Sequence, residues 1–166
     1  MSDFKAKRFT YRESVPLAAP ADEAFPLLCP VREPEWLDGW SCDLLYTDSG
    51  VVEEGCVFIT HAPGEDPTYF VTTVHDPADR RVVFVRLTPG QKVILMELRV
   101  DPGDGGASRL TGAFTVTALA PDGNALVDEL RATGGRALSL LTRKLAACLE
   151  HFVRTGTCLP RSAWPR

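Results

Sequence analysis

The sequence predicts an α+β fold: a curved antiparallel sheet of about seven strands wrapped around a long C-terminal helix, with two short helices after the first strand. Two observations carry this. Residues 124–153 place apolar side chains three or four apart, at Leu126, Leu130, Leu138, Leu141, Leu145, Leu149 and Phe152, which is the period of one long amphipathic helix. Upstream, the chain breaks into short runs of period two or of continuous β-branched character, separated by turn residues. A helix laid across one face of such a sheet leaves room for a hollow between them.

The elements follow in order. Residues 7–17 alternate, with Phe9, Tyr11 and Val15 on one side and Arg8, Thr10, Arg12 and Ser14 on the other. This is a strand, and Pro16 confines it to an edge or an end because proline cannot donate to a ladder. Pro20 opens a short helix over Ala21–Leu28, with Asp22 and Glu23 placed favourably in its first turn. Residues 31–40 form a second short helical turn or an ordered loop. Strands are expected at 42–47, 56–61, 68–75, 81–88, 91–100 and 108–119. Their separators, such as Asp48–Ser49–Gly50, Pro63–Gly64–Glu65, Asp76–Pro77, Pro89–Gly90 and Asp101–Pro102–Gly103, carry turn chemistry. These spacings suit antiparallel neighbours. Residues 157–166 read as a tail without assigned structure.

At 166 residues the chain reads as one domain, 1–166, with its core over about 7–155. Hydrophobic residues make up 45% and charged residues 24%, as in ordinary globular domains. A net charge of −4 lacks the basic footprint of a nucleic-acid binder. No apolar stretch approaches the ~18 residues that span a bilayer, and residues 1–5 show no secretory h-region, so a cytoplasmic location is expected. Cys29, Cys42, Cys56, Cys148 and Cys158 are odd in number and include no C-x-x-C pair. They read as isolated thiols rather than disulfide or zinc partners.

Ala19–Pro20–Ala21–Asp22–Glu23–Ala24–Phe25, Glu35–Trp36–Leu37–Asp38–Gly39–Trp40, Arg109–Leu110–Thr111 and Phe114–Thr115–Val116 resemble local sequences of the START-like or Bet v 1-like superfamily (SRPBCC, including polyketide cyclase/dehydrase-like proteins). The first resembles the family's passage from strand one into its first helix, the second its second short helix, and the last two its final strand. The order of elements matches over about residues 7–155. The resemblance implies a helix-grip fold. It leaves function open, because its members include lipid carriers, hormone receptors, cyclases and chaperone activators.

The resemblance also implies a ligand cavity. Strand 91–100 offers Ile94, Met96, Leu98 and Val100 on one face; strand 108–119 offers Leu110, Gly112, Phe114 and Val116. With Phe58, Phe70 and Phe84, and with Leu138 and Leu141 from the helix, these residues either line a hollow or fill a core. Gly134–Gly135 costs helix propensity. It marks a bend that makes room for a ligand, a tolerated kink, or a boundary between two helices. Trp36 and Trp40, four apart, share a face if the segment is helical; they line the pocket mouth or staple the short helices to the sheet. Arg86 would be a buried cation needing an anion, a ligand carboxylate or Glu97, if Val82–Phe84–Arg86 faces inward. The opposite face, Val83–Val85–Leu87, is equally apolar, so the balance tips toward an outward Arg86. Glu97 and Arg99 read as solvent-facing partners on the convex side.

The leading functional reading is binding of a small hydrophobic or aromatic molecule between sheet and helix, with Tyr46, Thr60, Tyr69, Thr72 and Arg86 setting its orientation. An alternative is a cofactor-free cyclase or dehydratase acting on a polyketide-like substrate, with His61, His75, Arg86 or Tyr69 as acid, base or anchor. A second alternative is a protein-interaction module resembling chaperone activators. No cofactor or metal is expected: no histidine pair has metal-ligand spacing, His151 stands alone on the last helix, and phosphate-loop and nucleophile-elbow motifs are missing. The oligomeric state stays open, a homodimer included.

Overall fold

The computed structural model describes residues 4–61 and 66–166. Seven strands form one sheet: β1 (Arg8–Leu17), β2 (Asp43–Tyr46), β3 (Val57–Thr60), β4 (Thr68–Asp76), β5 (Arg81–Thr88), β6 (Lys92–Pro102) and β7 (Ser108–Ala118). The spatial order is β1-β7-β6-β5-β4-β3-β2, and every pairing is antiparallel. β1 is therefore an edge strand, the position that tolerates Pro16. The expected turn at Pro63–Gly64–Glu65 lies outside the described residues.

Between β1 and β2 come α1 (Ala21–Ala24), a 3-10 turn (Phe25–Leu27) and α2 (Glu33–Trp36). After β7 the chain forms α3 (Pro121–Ala132) and α4 (Arg136–Thr155). The single helix expected over 124–153 is thus two. Gly134 and Gly135 stand at φ +61° and +79°, a left-handed conformation that glycine adopts without a side-chain clash. Gly135 N–H donates to Leu130 O at 2.8 Å, closing α3 in the manner of a Schellman cap, and Gly135 O then starts α4. The Gly135 Cα lies so close to the Tyr11 ring of β1 that a Cβ would overlap it.

The core lies between the concave face of the sheet and the helices. Val82, Phe84, Ile94, Met96, Leu98, Val100, Leu110, Phe114 and Val116 all point inward, as their two-residue alternation required. α4 contributes Leu138, Leu145 and Leu149, and α3 contributes Val127 and Leu130. α4 lies directly on β7: a Cβ on Gly112 would come 2.6 Å from Thr142 Oγ1. Phe58 stacks on Phe70 at 4.5 Å between centroids, and both meet Phe84 edge-on, at 5.9 and 6.2 Å. The aromatic residues expected to line a hollow here pack against one another.

The convex face is apolar as well. Tyr69 pairs with Leu87 and Val71 with Val85, and Leu95 continues the second row. Tyr69, Val71, Leu87 and Leu95 are exposed. Glu97 also faces outward, but its ion-pair partner is Arg81, at 2.9 Å, while Arg99 pairs with Asp101 at 2.7 Å. Among the described residues no helix is long and apolar enough to cross a membrane.

Candidate functional site

A cleft of about 330 Å³ opens between the loop after α2, the β3–β4 end of the sheet, α4 and the C-terminal tail. Its aromatic surfaces are Trp40, Phe70 and Trp164, and its cations are Arg86, Lys144 and Arg161. Local sequence explains each placement. Leu37 leaves the helix with ψ +98°, so the chain turns after Trp36. Trp40 Nε1 then donates to Pro30 O at 3.0 Å and sets its ring edge-on against Phe70, 6.4 Å away. Trp36 turns the other way, fully buried, and donates to Leu27 O at 2.9 Å. The two tryptophans do not share a helical face: α2 ends before Trp40. Trp36 staples the short helices, and Trp40 walls the cleft.

Arg86 faces inward, contrary to the outward placement favoured from sequence. Its register opposite Phe70 and Ile94, both buried, fixes this. The guanidinium lies 4.9 Å from the Phe70 ring centroid, and Nη1 contacts Met96 Sδ at 3.9 Å. The balance failed because Val83, Val85 and Leu87 sit on a convex face that is itself apolar. Glu97, one of the two anions suggested for Arg86, is across the sheet and pairs with Arg81.

Lys144 Nζ lies 4.6 Å from the Trp164 centroid, and Arg161 lies 5.6 Å from it on the tail. Arg161 Nε donates to Asp38 Oδ2 at 3.1 Å, and its guanidinium lies against Gly39, whose missing side chain admits it. Burial lowers the Lys144 pKa, and the neighbouring positive charges of Arg161 and Arg86 add to this; Cys148 and Glu33 pull the other way. Glu33 is part-buried as a residue, yet burial pushes its carboxyl up to about 8 against the pull of Arg86 and Lys144. That shift favours the protonated carboxyl at neutral pH. His61, also on the cleft, places Nε2 3.3 Å from Asp43 Oδ2.

The structure gathers Trp40, Thr60, Phe70 and Arg86 at this cleft. It places Phe58, Thr72, Phe84, Met96, Leu98, Phe114 and Leu138 in the core, with Leu141 packed against it. Tyr69 is exposed on the convex face, as its neighbour Phe70 faces inward. A β-bulge between Leu44 and Tyr46 turns Tyr46 out of the inward phase, exposed, with its hydroxyl donating to Asp48 at 2.9 Å. Gly134 serves the helix boundary, with nothing within 4 Å of its would-be Cβ. His75 stacks on Phe25 at 5.8 Å, and burial lowers its pKa; it lines a separate apolar recess with Val51, Val52 and Pro77. His151 contacts Thr157 at 3.3 Å. Sequence reasoning missed Lys144, Arg161 and Trp164. Lys144 follows Leu141 by three and precedes Cys148 by four, a charge set into the buried stripe of the helix, and that spacing was the available sign. The tail carried no comparable pattern.

No protein-family model matches the sequence, and no curated protein matches it. Solved structures do. Truncated norcoclaurine synthase from Thalictrum flavum aligns with TM-score 0.66 at 16% identity, over 93% of this chain and 99% of that one. The Zhui aromatase/cyclase from Streptomyces sp. R1128 aligns with TM-score 0.63 at 17% identity, over 92% and 100%. Ara h 8.0201 aligns with TM-score 0.62 at 13% identity, over 90% and 99%. The chain has the Bet v 1-like, helix-grip fold. At these identities the likeness fixes the fold and leaves function to the site.

Proposed function

We propose that the protein binds a small aromatic carboxylate in the cleft between the sheet mouth, α4 and the tail. One observation carries the reading: three cations from three separate elements, Arg86, Lys144 and Arg161, line a cleft together with the aromatic rings of Trp40, Phe70 and Trp164, with Asp38 and Asp66 as its carboxylates. Flat rings receive a flat apolar body, and guanidinium groups receive a carboxylate through charge-assisted, two-pronged hydrogen bonds. Asp38 holds Arg161, and Asp66 is the other carboxylate of the lining, so cations outnumber carboxylates there by three to two. The volume of about 330 Å³ lies at the lower end of the usual range for small-molecule sites. Norcoclaurine synthase, of the same fold, has been crystallised with dopamine and hydroxybenzaldehyde, so the fold accommodates single-ring aromatic molecules.

Titration of tryptophan fluorescence with 4-(hydroxymethyl)benzoate tests this, because Trp40 and Trp164 wall the cleft. Saturable quenching is expected, with the neutral analogue 4-methylbenzyl alcohol at least about tenfold weaker, and Arg86→Met about tenfold weaker for the carboxylate. Equal binding of the neutral analogue, or no binding of the carboxylate, overturns the reading. A catalytic reading stands second. It is favoured by Lys144 and Glu33, which interact electrostatically and whose pKa values are displaced in opposite directions, a pattern common at reacting sites.

A further inference from the structure

We propose that Lys144 is a nucleophile that captures the carbonyl group of an aromatic aldehyde or keto acid as a reversible imine. This rests on the cleft reading above and extends it from carboxylate binding to covalent carbonyl chemistry.

The chain has four lysines, Lys5, Lys7, Lys92 and Lys144. Lys144 lines the cleft, whereas Lys7 is ion-paired with Asp128 and Lys92 contacts Gln91. Lys144 rises from α4 between Leu141 and Cys148, so its stem is held by the helix that forms one cleft wall. Its nitrogen rests over the Trp164 face, with Arg161 against the same ring.

The surroundings then set its reactivity. An amine must be neutral to attack a carbonyl, and burial beside other cations favours the neutral form. Burial is the largest influence on Lys144 and lowers its pKa; Arg161 and Arg86 act in the same direction, and Cys148 and Glu33 act against it. The guanidinium groups also hold the far end of the substrate. A ring that carries a carboxylate toward Arg86 or Arg161 and a carbonyl toward Lys144 would span the cleft.

The step balances without another reagent. The amine nitrogen bonds to the carbonyl carbon, giving a carbinolamine. Its hydroxyl then leaves as water, taking both amine hydrogens with the oxygen, and a carbon–nitrogen double bond remains. Nothing is oxidised or reduced, and hydrolysis reverses it.

The test uses the full chain, 4-carboxybenzaldehyde and sodium cyanoborohydride at neutral pH, with the reduced adducts located by peptide mass spectrometry. Lys144 is expected to label at least about tenfold faster than Lys5, Lys7 or Lys92. An excess of 4-(hydroxymethyl)benzoate, which has no carbonyl, should slow that labelling. Lys144→Arg should abolish the cleft adduct while keeping the thermal melt. If that variant does not fold, the site-resolved rates in the unaltered chain still decide. Labelling spread evenly over the four lysines overturns the proposal. Saturable binding of 4-(hydroxymethyl)benzoate without a Lys144 adduct overturns the imine and leaves the cleft reading standing; failure of both binding and labelling removes both.

Discussion

Lys144 and Trp164, twenty positions apart, meet with the ammonium nitrogen 4.6 Å from the ring centroid. The contact closes a path that starts where α4 ends. Gly156, at φ +70°, stops the helix and reverses the chain. Cys158 Sγ then contacts Glu35 O at 3.1 Å, and Arg161 reaches Asp38. The tail is thereby tied both to the loop after α2 and to the side of α4, and it forms one wall of the cleft rather than trailing from the domain.

Trp164→Ala should separate the two roles of that wall. The cation–π contacts of a part-exposed ring contribute about 0.5–1 kcal/mol, a loss of roughly 2–4 °C in melting temperature at most for a domain of this size. Affinity for 4-(hydroxymethyl)benzoate should fall more steeply, by about tenfold, because the ring is also a ligand surface. Calorimetric melting and fluorescence titration measure the two effects. An unchanged affinity alongside a lowered melting temperature would show that Trp164 only fastens the tail.

The helix boundary predicts a contrast between adjacent residues. Gly134→Ala meets open space and suffers only the left-handed conformation, about 1–2 kcal/mol. Gly135→Ala bears the same cost and must also displace the Tyr11 ring, so its loss should exceed that of Gly134→Ala by at least about 1 kcal/mol. Urea denaturation of the two variants compares them directly. Equal losses would mean that the Tyr11 ring moves freely and does not hold β1 to the boundary.

Glu33 gives a pH dependence whose sign can be worked out. Its carboxyl titrates at about 8 in the folded chain against 4.5 for the ordinary group. Between those values the folded chain holds a proton that the unfolded chain has released. This contribution to stability is present in full below pH 4.5, falls as the pH rises toward 8, and levels off above it. Glu33→Gln is neutral at every pH and removes the decline. It should match the unaltered chain near pH 5 and exceed it above pH 8 by at least about 1 kcal/mol, the worth of a single pKa unit. Urea midpoints across this range test it; parallel pH curves for the two proteins would refute the buried, protonated Glu33.

The sheet was legible in the sequence because its period is local. Inward Leu98 and Val100 or Leu110 and Phe114 can be read from alternation and from the more apolar face, and Pro16 confined its own strand to an edge or an end. Two kinds of feature were not legible. One is the choice of face where both faces are apolar, as for Arg86 against Leu87: the cross-strand rows Tyr69–Leu87 and Val71–Val85 make the convex side look like a core. The other is the site, because its groups come from distant segments. Asp38, Arg86, Lys144 and Arg161 meet only after the sheet has curved and the tail has turned back at Gly156. Gly134–Gly135 was readable as a cost in helix propensity, but the Tyr11 ring that accompanies the break lies on β1.

Phe70 decides whether this fold holds a hollow or a filled core behind the cleft. It is 3% exposed, it forms the floor of the cleft under Arg86, and it stacks on Phe58 at 4.5 Å. Phe70→Ala should cost about 3–5 kcal/mol, since the ring leaves an apolar void that α4, lying directly on β7, is poorly placed to fill. A dry apolar void of that size binds a small aromatic hydrocarbon. Saturating benzene should therefore raise the melting temperature of Phe70→Ala and leave the unaltered chain unchanged, because in the latter Phe58, Phe70 and Phe84 occupy the space themselves. A rise of equal size in both proteins would mean that an apolar chamber already exists behind the aromatic cluster, and the ligand would then belong deeper, between the sheet and α4, than the cationic cleft at its mouth.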